Sequence, residues 1–168
     1  MRVFNEKQKF NQWWLKIVMA VVLLGGLVPL FAFRDKETQS DSEWIIALVI
    51  FGAVISLTML LLFFVIQLRT RIDERGVHYA FYPIQRNMRT IPWNQIESCR
   101  VRKYSPLGEY GGWGYKITFG SQGKALSVRG NMGIQLEYNK GKRLLLGTQD
   151  PETAQRIITG YQEKNNLR

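Results

Sequence analysis

The sequence predicts a membrane-embedded α-helical hairpin followed by an all-β barrel that one C-terminal α-helix closes. Three observations carry this expectation. Residues 45–66 hold no charged side chain over 22 positions, and at about 1.5 Å per residue a helix of that length spans roughly 33 Å, against about 30 Å for a bilayer core. A second uncharged run, residues 17–33, precedes it. From about residue 70 the pattern changes to short alternating segments separated by turn residues, and it ends in one stretch of helical period.

The chain divides accordingly. Residues 1–12 form a polar N-terminal segment, 13–33 and 45–68 the two transmembrane helices, 34–44 an external loop, and 69–168 one further domain. Trp13 and Trp14 suit a membrane interface, and Lys16 can extend its ammonium back toward water. A secretory signal peptide also begins with a basic stretch and an apolar core. Here the core is long and ends in Leu30-Phe31-Ala32-Phe33, without a small-x-small cleavage site. Arg2, Lys7 and Lys9 precede the first helix, and Arg69, Arg71 and Arg75 follow the second. The loop holds Asp35, Glu37, Asp41 and Glu43 against Arg34 and Lys36. The positive-inside rule then sets both termini in the cytoplasm of a multi-pass inner-membrane protein. Gly25, Gly26, Gly52 and Ser56 would let the two helices approach closely, with Gly25 or Gly26 facing Gly52 or Ser56.

The C-terminal portion reads as strands at 70–73, 77–82, 89–91, 96–104, 113–119, 125–129, 134–138 and 143–147. The last two are joined by a hairpin turn at Asn139-Lys140-Gly141-Lys142. Asp150 can cap a helix that opens on Pro151, and Ala154, Ile157, Ile158 and Tyr161 then share one face. Short strands closed by such a helix have the outline of a pleckstrin-homology (PH)-like barrel. Ile91-Pro92-Trp93 with Ile96 resembles the strand-and-turn signature of bacterial PH-like domains. Glu109-Tyr-Gly-Gly-Trp-Gly114, Gly130-Asn-Met-Gly133 and Leu146-Gly-Thr148 are similar to segments of small uncharacterised bacterial membrane proteins with two transmembrane helices and a PH-like domain. That resemblance covers the whole architecture. It implies a PH-like fold and membrane residence, and it implies no activity.

The charge is lopsided. The whole chain has 23 Lys+Arg against 13 Asp+Glu, a net of +10. Residues 69–168 hold 17 basic and 8 acidic residues, a net of +9. Nucleic acid is not the expected partner, because no RNP-like motif, zinc spacing or recognition-helix pattern accompanies the charge. Cys99 is the only cysteine and His78 the only histidine, so neither a disulfide nor a multi-ligand metal site can be assembled from them. The Gly-rich stretch at 108–114 lacks the Gly-Lys-Ser/Thr of a phosphate loop and leads into a strand. His78 has no Ser or Asp at a telling spacing. The expectation is therefore a protein that is not an enzyme and needs no cofactor.

Its role is expected to be that of a membrane-anchored interaction module, binding a membrane-protein partner or itself. Glu109, Tyr110, Trp113 and Asn131 are the candidate partner-binding residues, since aromatic side chains on loops make good anchors. The other reading of that loop is packing of Tyr110 and Trp113 on the barrel. The alternative function is docking on anionic lipid headgroups through Arg69, Arg71, Arg75, Arg86 and Arg89. The short turn Glu74-Arg75-Gly76 argues against a stereospecific inositol-phosphate pocket beside it.

Overall fold

The computed structural model describes residues 3–10, 17–18, 20–22, 24–25, 39–118 and 122–165. It divides into two compact units, Met1–Phe10 with Ile66–Arg168, and Asn11–Val65.

In the second unit, helix α1 runs from Gln39 to Val65, 27 residues. Trp44, Leu48, Phe51 and Phe64 are exposed on it, while Val49 and Ser56 are shielded. The expectation of membrane-spanning helices is corrected here. Among the described residues, no helix is long and apolar enough to cross a membrane. The helix opens on the polar stretch Gln39-Ser-Asp-Ser-Glu43. The two-span membrane partner, the transmembrane assignments and the multi-pass inner-membrane localisation fall with that expectation. Most of the helix expected at 13–33, the residues 34–38 of the expected loop, and Gly26 lie outside the described residues. Among the described residues, a Cβ added at Gly25 or Gly52 would meet nothing within 4 Å.

The first unit is a mostly β domain. Its strands are β1 (Phe4–Lys9), β2 (Gln67–Asp73), β3 (Gly76–Tyr82), β4 (Arg89–Pro92), β5 (Ile96–Lys103), β6 (Gly114–Ile117), β7 (Lys124–Ser127), β8 (Met132–Tyr138) and β9 (Lys142–Gly147). A 3-10 turn, Trp93–Gln95, links β4 to β5. A short helix α2 (Pro106–Tyr110) follows β5, and α3 (Pro151–Asn165) ends the unit. The strands form two sheets, ordered β1-β2-β3-β4 and β5-β8-β9-β7-β6. The single closed barrel is thus also corrected. Residues 104–127 are inserted between β5 and its partner β8, and the β6–β7 hairpin joins the second sheet through a parallel pairing of β7 with β9.

The segment expected to be a plain polar terminus supplies the edge strand of the first sheet. Phe4, Glu6 and Gln8 point inward from β1, opposite Ile72, Thr70 and Leu68. Phe4 and Gln8 are buried. Gln8 Nε2 donates to the Gly147 carbonyl at 2.6 Å. Glu6 accepts from Thr148 Oγ1 at 2.8 Å and from the Gln149 amide at 2.7 Å. Two of its three inward residues are polar, which hides the strand from any hydrophobic pattern.

The inner faces of both sheets and one face of α3 share a single core, which includes Leu68, Ile72, Phe81, Leu126, Leu136 and Ile158. Asp150 Oδ1 caps α3 by accepting from the Thr153 amide at 3.1 Å. The helix also closes the edge strand β5: Gln155 Oε1 accepts from the Val101 amide, and Gln162 Nε2 donates to the Cys99 carbonyl. Burial pushes the Cys99 thiol up to about 12, so it is an inert core group. Trp93 stacks on Tyr161, ring centroids 5.5 Å apart, and its Nε1 donates to the Asp73 carbonyl at 2.8 Å. In β9, Leu144 and Leu146 enter the main core, whereas Leu145 joins Tyr104, Tyr110 and Ala125 in a second cluster. This two-sided burial explains three consecutive leucines in one strand. The three-residue β8–β9 loop has φ of 47°, 62° and 90° at Asn139, Lys140 and Gly141, a left-handed stretch that asparagine and glycine adopt at least cost.

Candidate anion-binding surfaces

The outward face of the first sheet is basic. Lys7, Arg69 and Arg71 alternate with the buried residues of β1 and β2 and are exposed. Register places Lys7 directly opposite Arg69, and like charges so paired are destabilising by some tenths of a kcal/mol. Lys9 continues the face opposite Gln67. Nothing in the sequence spacing joins Lys7 to Arg69, since the pairing needs β1 to be recognised as a strand.

At the β2–β3 turn this face gains a hydrogen-bonded cluster. Asp73 closes β2, and its carboxylate accepts from the Arg75 amide at 2.9 Å. It also pairs with Arg71 Nε at 3.1 Å and lies 2.9 Å from His78 Nε2. His78 Nδ1 is 2.8 Å from Thr90 Oγ1. The strand register sets Arg71 opposite His78 and His78 opposite Thr90. The sequence reading found no Asp or Ser beside His78. The fold brings Asp73 and Thr90 to it, and only the two-residue turn with its cross-strand register would have shown this. Burial works to raise the Asp73 pKa. The His78 hydrogen bond, the Arg75 amide and the charges of His78 and Arg71 outweigh it, and the carboxyl is held below its usual range. An open cleft of about 350 Å³ adjoins the cluster, with Arg75, Met88 and Tyr161 among its walls.

A carboxylate with a lowered folded pKa contributes stability that is present above its unfolded value and is lost as pH falls through the folded value. Asp73→Asn should therefore melt below wild type near neutrality, and the two melting temperatures should converge once the pH has fallen through the carboxyl's lowered folded pKa. A gap that stays constant from neutrality to below that pKa would contradict the role given to the carboxylate.

The candidate partner-binding residues have structural duties. Glu109 makes a bidentate pair with Arg102, at 3.2 and 2.7 Å, and accepts from the Ser105 amide at 2.8 Å. The Arg102 hydrogen bond keeps the Glu109 carboxyl below its usual range against the opposing effect of burial, and the same bond raises the Arg102 guanidinium. Arg102 Nε also donates to Gln135 Oε1 at 3.1 Å. Tyr110 is buried edge-on against Tyr104, centroids 6.0 Å apart. Trp113 Nε1 donates to the Gly130 carbonyl at 2.8 Å. The Asn131 carbonyl accepts from the Tyr104 amide, and its side chain is exposed. The loop is thus fastened over the outer face of the second sheet. Tyr110→Ala should lower stability by about 3 kcal/mol, as large aromatic truncations do. Denaturant melts measure it, and a loss below about 1 kcal/mol would show the loop to be loosely held.

The basic candidates divide. Arg69 and Arg71 lie on the sheet face and Arg75 in its turn, while Arg86 is exposed in the β3–β4 connection and Arg89 opens β4. Among the described residues, no group of three or more His, Cys, Asp or Glu side chains could hold a metal ion. Comparison with family models, curated proteins and solved structures finds no match to this chain.

Proposed function

We propose that this protein is a non-catalytic binding module whose basic sheet face, built by Lys7, Arg69 and Arg71, docks on an acidic protein surface. The observation that carries the reading is the juxtaposition of Lys7 and Arg69 on an exposed face. Their mutual repulsion is relieved when an anionic partner sits over both. Glu74, exposed in the turn at the end of the same face, favours an acidic protein surface with a basic residue at its rim over a uniformly anionic headgroup layer. The Asp73–His78–Thr90 chain fixes the turn that presents Arg75.

The test places a photo-cross-linking amino acid at position 5 of the full chain in cells, exposed on β1 opposite Arg71, so that Lys7 and Arg69 are kept. The expected result is a discrete adduct to an acidic protein that disappears with Lys7→Glu. No adduct, an adduct indifferent to Lys7→Glu, or adducts to lipid alone would overturn the reading.

A further inference from the structure

Two of the four sheet edges are fastened by side chains: β1 through Glu6 and Gln8, and β5 through Gln155 and Gln162. The other two edge strands are β4 and β6, and a cleft of about 710 Å³ opens between them. That volume lies in the range of roughly 300–1,000 Å³ found for small-molecule sites. Its walls carry Arg89 from β4, Lys124 from β7 and Lys142 from β9, and none of its described lining residues is acidic. The Arg143 side chain lies on the other face of β9 with Leu145 and pairs there with Glu137 at 2.9 Å, so Arg89, Lys124 and Lys142 carry the positive charge of the cleft. Arg89 lies beside the Tyr79 hydroxyl, with Tyr115 and Tyr138 close by. Tyr138 and the exposed Ile117 give the cleft a less polar wall. The convergence is built into the backbone. A Cβ at Gly123 would run into the Arg143 carbonyl, so this glycine allows the start of β7 to approach β9 and sets Lys124 opposite Leu144, on the same face as Lys142.

We propose that this cleft binds a soluble phosphate monoester of sugar-phosphate or nucleotide size. A guanidinium fork and ammonium point charges are the groups that recognise phosphate oxygens. A dianion offsets several crowded cations where a single carboxylate would offset fewer. A concave site between two sheet edges suits a ligand that enters it. The site is separate from the basic face of the first sheet and stands or falls without it.

Titration calorimetry on the full chain tests the proposal, with glucose 6-phosphate and AMP as probes. Lys124→Gln/Lys142→Gln is the cleft variant, and Lys103→Gln, exposed on β5, is the surface control. Both probes should bind with Kd of about 1 mM or tighter. The cleft variant should weaken them about tenfold or more at an unchanged melting temperature, while Lys103→Gln leaves them within about twofold. Equal weakening by both variants, or no heat up to about 10 mM probe, would overturn the assignment. So would binding of phosphatidic-acid vesicles that depends on Lys124 and Lys142 when the soluble probes do not bind.

Discussion

Ile158→Asp is expected to abolish folding of the sheet domain or to lower its melting temperature by roughly 20 °C, the consequence of a loss of about 4 kcal/mol or more. Ile158 is fully buried where α3 meets both sheets. A carboxylate there would have no partner supplied by design, and a buried unpaired charge is among the costliest substitutions. The helix also carries Ala154, Ile157 and Tyr161 in the core and fastens β5, so its displacement would release more than one side chain. A variant melting within a degree or two of wild type would show that α3 does not seal the sheets.

Phe4→Ala is the second large effect. Phe4 is 4% exposed and sits in the main core with residues more than sixty positions away. Truncating a buried phenylalanine costs about 3–5 kcal/mol. A change near the start of the chain should therefore destabilise a domain whose other strands begin at Gln67. Chemical denaturation of the full chain reads it. A loss under about 1 kcal/mol would mean that β1 contributes little to the core.

The strands expected between residues 70 and 147 were legible because most of their inward residues are apolar and glycine or asparagine marks the turns, whereas Gln67 and Leu68, expected in the helix 45–68, open β2. Val77, Tyr79 and Phe81 alternate openly, and Asn139-Lys-Gly141 announces its hairpin. The terminal helix was equally legible from Asp150-Pro151 and the spacing of its apolar residues. Strand β1 was not, because Gln8 and Glu6 fill inward positions through hydrogen bonds to residues 147–149, which no local pattern reveals. The parallel pairing of β7 with β9 is likewise set by long-range register. The expectation of membrane-spanning helices rested on the length of an apolar run, and among the described residues no helix sustains it. Among site residues, Arg69 and Arg71 were found from charge alone. Lys7 and the contacts of His78 required the sheet. Glu109, Tyr110 and Trp113 stood out in the sequence as candidate partner-binding residues, and in the fold Glu109, the Tyr110 ring and the Trp113 indole N–H are engaged within the domain.

The basic face exists only if the first strand of the chain pairs with β2, so amide hydrogen exchange in Phe4–Lys9 of the full chain tests the account most directly. The β1 amides bonded to β2 should exchange only by the global opening that releases β2 and β3, with the same free energy and the same denaturant dependence. Exchange of the β1 amides at open-chain rates, while β2 and β3 remain protected, would contradict it.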